Sequence, residues 1–194
     1  VRYANHGDYI VVGGFGNTPC RSGVTLGEMT DYSELSPSQI FLEAFRRHGA
    51  GISVVTALKK DGSPTGFTAT SLASLSAAPP LATFNMSQTA SSWSSMKVDQ
   101  SVIIHMLSTD NLDLAQKMAG EASERFAGDH WSPGPDGLPL LTGVSAWLHA
   151  KIVAIMEVEF SASVAVRILG GNVGPGGDAL VYQGKDYRGT TSLG

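Results

Sequence analysis

From residue 36 onward, hydrophobic and polar positions alternate between helical and strand periods. Ser36 followed by Pro37 is an N-cap with proline at the first helical position. Ile40, Phe41, Ala44 and Phe45 then recur at helical spacing, predicting a helix with one face packed inward that stops by Gly49. Residues 52–58 read as a strand, Lys59-Lys60-Asp61-Gly62-Ser63 as a hairpin turn, and residues 64–75 as the partner strand. Further strands are expected over 81–86, 101–107, 147–159 and 163–169, with 180–182 as the last. A short helix is expected over 91–96, and a longer one over 111–119 with Leu112, Ala115 and Met118 on one face. Residues 170–177 read as a glycine-rich loop. Strands this far apart, with helices in the gaps, imply an antiparallel barrel with short helical insertions rather than a doubly wound sheet.

Residues 1–33 do not follow that rhythm. Ile10-Val11-Val12 is strand-like, but Gly13, Gly14 and Gly16 interrupt it and Asn17-Thr18-Pro19 reads as a turn. The piece reads as an arm or leader: a strand decorating the domain, a segment crossing a dimer, or a leader. Residues 34–194 form the functional domain.

Composition narrows the class. One domain suits 194 residues, and 42% hydrophobic against 15% charged residues supports a real core rather than disorder. Twenty-three glycines favour many turns and a β-rich fold. A net charge of −4 argues against a nucleic-acid partner, which calls for a basic stripe. Cys20 is the single cysteine, so neither an intramolecular disulfide nor a cysteine-cluster metal site is available. Neither a bilayer-spanning apolar run nor a signal-peptide pattern is seen, and a cytoplasmic protein is the expectation.

The candidate chemistry lies in two hydroxyl-rich stretches. Gly66-Phe67-Thr68-Ala69-Thr70-Ser71-Leu72-Ala73-Ser74-Leu75-Ser76, ending at Pro79-Pro80, offers hydroxyl and backbone N–H groups at low bulk. That suits one edge of a planar heterocycle bearing carbonyl and ring-nitrogen acceptors. Asn85-Met86-Ser87-Gln88-Thr89-Ala90-Ser91-Ser92-Trp93 supplies a second cluster suited to a phosphate. Other chemistries find less support. The loop at 170–177 lacks G-x-G-x-x-G spacing and Pro175 bars a following helix. His6, His48, His105, His130 and His149 form no H-E-x-x-H pair, so no metal site is expected; His105 and His149 sit in strand-like runs and suit hydrogen-bonded packing. Gly-x-Ser-x-Gly does not occur. Without a nucleophile of its own, an enzyme of this kind lets a cofactor carry the reaction.

Ordered motifs then resemble the flavin-reductase-like family of FMN-binding split barrels. They run from Gly51-Ile52-Ser53-Val54-Val55-Thr56 through the two hydroxyl segments to Arg125-Phe126-Ala127-Gly128, Gly137-Leu138-Pro139, Ala146-Trp147-Leu148 and Lys185-Asp186-Tyr187-Arg188, over residues 38–189. The resemblance implies a mainly β fold, a six-stranded antiparallel split barrel of Greek-key arrangement. It implies a homodimer with FMN, or FAD, near the subunit interface. It also implies flavin reduction by NADH or NADPH, with the reduced flavin passed to a partner monooxygenase. On the matching positions, Thr68, Ala69, Thr70 and Ser71 meet the ring and ribityl chain, with Ser74 and Ser76 following. Ser87, Ser91, Ser92 and Trp93 receive the phosphate and the adjacent ring edge, and Phe126 lines the ring pocket.

Two departures qualify that expectation. Most members carry a Lys or Arg before the Ser/Thr–Trp pair, where this chain has Ala90 and Ser91. The phosphate would then rest on hydroxyls and N–H groups, with a weaker, exchangeable flavin. The family's nicotinamide-site histidine is also missing, its place taken by Ser161, Ala162 and Ser163. Tyr187 and Arg188 are the candidates to compensate, with capping of a solvated final strand as the alternative. FMN binding is therefore better supported than nicotinamide-driven reduction. A flavin carrier, a sensor, a reductase for another acceptor, and a flavin-free oligomeric scaffold stay open.

Overall fold

A computed structural model describes residues 35–174 and 176–192, so the expected arm at 1–33 lies outside the described residues. The largest element is a seven-stranded antiparallel sheet in the order β3-β2-β6-β9-β10-β5-β4. Its strands are β2 (Ser53–Leu58), β3 (Pro64–Ala69), β4 (Ala73–Ala77), β5 (Pro80–Ser87), β6 (Ser101–Met106), β9 (Ala146–Val158) and β10 (Ser161–Val173). The two edges, β3 and β4, are consecutive in the chain. Four Cα steps from Ala69 to Ala73 reach about 15 Å at most, so the sheet must curl until its edges nearly meet. The result is a barrel split between β3 and β4.

The strand count is seven in this sheet rather than the expected six. The strand expected over 64–75 breaks at residues 70–72, where the chain passes from one edge of the split to the other. Ser71 fixes that corner: its hydroxyl donates to Asn85 O at 3.2 Å and accepts from Asn85 N at 2.8 Å, taking the place of a ladder partner.

Two cores flank β2. Inside the barrel, Val55, Phe67, Phe84, Val102, Ile104, Ile152, Val164 and Val166 pack together, with the Phe67 and Phe84 rings 5.8 Å apart. Outside it, Ile52, Val54, Leu107, Ala115, Met118, Leu141 and Leu180 form a second cluster. That cluster is covered by α2 (Leu112–Ala119) and two small sheets. One sheet is β1 (Ala50–Gly51), β11 (Leu180–Gln183) and β12 (Asp186–Gly189); the other is β7 (Trp131–Pro133) with β8 (Pro139–Leu141). Covered on both faces, residues 53–57 of β2 are all buried, which is why their pattern lacks alternation.

The structure corrects three expectations. α1 (Pro37–Arg47) is capped by Ser36 as expected, with Gln39 completing a capping box, but it has no buried residue. Its stripe of Ile40, Phe41 and Phe45 is exposed, so the face expected to pack inward is not covered among the described residues. The loop expected at 170–177 starts later, because β10 runs on to Val173. Gly171 allows this: a Cβ there would stand 2.3 Å from Trp147 O. The last strand is β12, not residues 180–182. Gly184 and Lys185, both at positive φ, make the tight turn between β11 and β12.

Candidate functional site

The split places β3 at an open edge, and the first candidate segment lies along it. Ala69 points into the barrel core. Thr68 points to the other face and is 4% exposed, yet its hydroxyl has no hydrogen-bond partner. Thr70 is exposed at the corner, and Ser71 spends its hydroxyl on Asn85. Ser74 and Ser76 lie on β4, flanking a register shift against β5.

The second segment follows β5. The Ser87 hydroxyl lies 2.8 Å from the Thr89 hydroxyl and accepts from Thr89 N at 3.2 Å, a local turn that fixes the exit from the strand. Ser91 is exposed, while Ser92 is fully buried with its hydroxyl unpartnered. Trp93 opens a short 3-10 turn and packs, half-buried, on the barrel core. A buried hydroxyl without a partner costs roughly 1–3 kcal/mol. Thr68 and Ser92 both carry that cost.

Arg125 joins the two segments. It is 3% exposed; its Nε and Nη2 donate to Gly120 O at 3.0 and 2.9 Å, and its Nη1 donates to Gly66 O at 2.8 Å. The same Nη1 stands 3.5 Å from the Ser91 hydroxyl. Gly66 permits this approach, since a Cβ there would meet Val55 O at 2.8 Å and the Phe126 ring at 3.2 Å. Phe126 is half-buried against that bare backbone and edge-on to Trp131 at 5.7 Å, so much of its ring serves packing. Trp131 Nε1 donates to Phe126 O at 2.9 Å and His130 Nε2 lies 2.7 Å from Arg125 O, strapping the loop down. In the sequence Arg125 stands out only as part of the Arg125-Phe126-Ala127-Gly128 motif, with no role of its own. Its burial identifies it.

The position of the missing histidine lies close to the second segment. Ser161, Ala162 and Ser163 stand opposite Ser87, Met86 and Asn85 in the β10–β5 register. Gln88 closes this end, with N donating to Phe160 O at 2.9 Å and Nε2 to Glu157 Oε2 and Ser161 O at 3.2 and 3.3 Å. Tyr187 and Arg188 lie elsewhere, on β12 of the small sheet. Tyr187 is half-buried against Tyr182 at 5.4 Å, and Arg188 is exposed. Burial raises the Tyr182 phenol above its usual range.

The buried His105 belongs to the frame. Leu141 N donates to its Nε2 at 3.0 Å, so Nδ1 carries the proton and donates to Val54 O at 3.1 Å. Burial pushes its pKa down to about 4, keeping the ring neutral. Thr56 makes a similar tie, donating to Pro139 O at 2.6 Å. His149 meets Asp136 at 3.1 Å.

Comparison with known proteins identifies this arrangement. The "Flavin reductase like domain" family matches residues 45–191, and the chain belongs to that family. The chain is 41% identical over 116 residues to the NADH:FMN oxidoreductase of Rhodococcus qingshengii, a match covering 59% of this chain and 60% of that protein. It is 30% identical over 129 residues to the reductase component of a flavin-dependent trigonelline monooxygenase from Acinetobacter baylyi, covering 66% of this chain and 42% of that protein. The chain thus spans less than two thirds of the length of these relatives. The crystal structure of a flavin reductase domain protein from Arthrobacter sp. FB24 superposes with a TM-score of 0.77 at 42% identity, covering 81% of this chain and 98% of that one.

Proposed function

We propose that this chain binds FMN along the β3 edge and reduces it with NADH, delivering reduced flavin to a partner monooxygenase. The observation that carries the reading is the pair of buried, unpartnered hydroxyls, Thr68 and Ser92, in two segments that Arg125 holds together. Hydroxyls buried at a cost are expected where a ligand supplies their partners. The donor set is neutral and small along the ring edge, with a guanidinium behind the phosphate end. That fits a phosphorylated flavin, FMN as named for the Rhodococcus relative or FAD.

Bound flavin supplies the two-electron acceptor for the nicotinamide hydride. The protein's part is to hold and orient. Thr68, Ala69 and Thr70 present hydroxyl and backbone groups along the ring and ribityl chain, and Ser71 keeps the corner at Asn85. Ser87, Ser91, Ser92 and Trp93 receive the phosphate end, while Phe126 backs the pocket from its seat on Gly66. Holding two reactants in register can remove up to about 7–11 kcal/mol from a bimolecular barrier.

Ser161, Ala162 and Ser163 provide no ring nitrogen for the nicotinamide, and β12 sets Tyr187 and Arg188 in a different sheet. This favours a second reading, an FMN-binding protein of the same fold without efficient nicotinamide turnover: a carrier, a sensor, or a reductase for another acceptor. Anaerobic addition of NADH or NADPH to protein with FMN decides between them. Bleaching faster than with free FMN supports the reductase; binding without bleaching supports the second reading.

The working unit we propose is a homodimer. The exposed apolar residues Ile40, Phe41 and Phe45 on α1, and Met156, Val158 and Phe160 at the β9–β10 turn, suit burial against a second copy. A cytoplasmic setting accords with the single cysteine, and no described helix is long and apolar enough to cross a membrane.

A further inference from the structure

We infer that the cleft between the β2–β3 turn and residues 94–100 binds the adenosine diphosphate end of a dinucleotide, the part that FAD and NADH share and FMN lacks. The cleft lies outside the segments assigned to the flavin ring and its phosphate; only its assignment to a dinucleotide rests on the proposed function. Its volume is about 420 Å³, within the range of small-molecule sites. Lys59, Lys60 and Asp61 line one wall, and Ser94, Ser95 and Lys97 line the other. Half of the chain's six lysines thus line a single opening, although the chain as a whole carries a net charge of −4.

Both walls are turns held by their own backbone. Lys59 N donates to Ser63 O and Gly62 N to Lys59 O, each at 2.9 Å, with Gly62 at a φ of 81°. Opposite, Ser95 N donates to Ser92 O at 3.0 Å, Met96 N to Trp93 O at 2.9 Å and Gln100 N to Lys97 O at 3.0 Å. Met96 is buried in the barrel core and anchors that turn. The exposed lysines therefore project from fixed backbone. Asp61 is the one carboxylate in the lining, and it accepts from Ser63 N at 2.9 Å and from Ser63 Oγ at 2.6 Å. Those bonds hold its carboxyl below the usual range, so it stays ionised and offsets one lysine. Three ammonium groups against one carboxylate leave an excess of positive charge, and the Ser94 and Ser95 hydroxyls can donate to phosphate oxygens. Position supplies the rest of the argument. Ser94 follows Trp93 directly, so the cleft begins where the segment at 87–93 ends. A mononucleotide stops at its phosphate, whereas FAD continues from there into a second phosphate and adenosine. NADH brings the same group when its nicotinamide meets the flavin ring.

Calorimetric titration of the full chain with ADP tests the inference. Wild-type protein should bind ADP, and Lys60→Ala combined with Lys97→Ala should lower that affinity about tenfold or more while FMN affinity changes less than about twofold. Lys185→Asn removes a lysine from the β11–β12 turn and puts there a residue that tolerates positive φ; it should change ADP affinity less than about twofold. Competition then identifies the source. Displacement of ADP by FAD assigns the cleft to the flavin dinucleotide and displacement by NAD+ to the nicotinamide dinucleotide; either result supports the inference. Absence of ADP binding at millimolar concentration, an unchanged affinity in the double variant, or an equal loss in Lys185→Asn would overturn it. So would displacement by FMN, a parallel loss of FMN affinity, or displacement by neither dinucleotide. Protein that binds ADP through these lysines but takes up no FMN would contradict the proposed function and leave the diphosphate site in place.

Discussion

A hydroxyl buried without a partner weakens a fold unless something else uses it, and Thr68 makes that trade measurable. Thr68→Val keeps the shape and removes the unpartnered oxygen. The free protein should melt at the same temperature or higher, by up to about 1 kcal/mol, while FMN affinity falls about three- to tenfold. Unchanged affinity in an FMN titration would place the ring elsewhere. His105 gives a second test, in pH. The unfolded chain takes up this proton near 6.5, the folded chain only near 4. Its contribution is complete above pH 6.5 and is lost as pH falls towards 4, on the order of 3 kcal/mol. Urea midpoints between pH 7 and 4.5 should show that slope, and His105→Gln should flatten it. Single residues were unevenly legible. Hydroxyl content marked Thr68 and Ser92, and strand context marked His105 as a packing residue. Arg125 was visible only as part of a motif, because its role depends on burial, which Gly66 from a distant strand permits.

At the scale of elements, the site depends on how closely residues 125–126 approach β3. Gly66→Ala would place a methyl 2.8 Å from Val55 O and 3.2 Å from the Phe126 ring. Overpacking of this kind typically costs about 1–3 kcal/mol. Thermal melts should register that loss, and the displaced loop should weaken FMN binding as well; a variant as stable as wild type would show that the approach is looser. The sequence pattern located most strands to within a few residues, because alternation and turn residues agree there. It failed where geometry overrides local preference. Residues 64–75 read as one strand because nothing in Thr70-Ser71-Leu72 resembles a turn, and the corner is made by a side chain bonding to Asn85. Residues 170–173 read as loop because glycines usually break strands, whereas Gly171 here lets β10 lie against Trp147. β12 was missed because Gly184-Lys185 is not among the commonest hairpin dipeptides.

For the whole molecule, fold class and family were legible because several ordered motifs keep their spacing over three quarters of the chain. The outer face of α1 was not, since an apolar stripe looks the same whether it meets its own core or another subunit. If a second copy covers it, light scattering at micromolar concentration should give twice the monomer mass, and Phe41→Glu with Phe45→Glu should shift it towards monomer. A wild-type monomer with flavin bound would contradict the dimer. The central claim is reduction of FMN on this fold without the histidine. The most direct measurement is stopped-flow mixing of protein and FMN with NADH under anaerobic conditions, followed by loss of the oxidised flavin's visible absorbance. Reduction many times faster than with free FMN, and slowed by Thr68→Val, is the expected result. Tight FMN binding with bleaching no faster than in free solution, for NADH and NADPH alike, would contradict it.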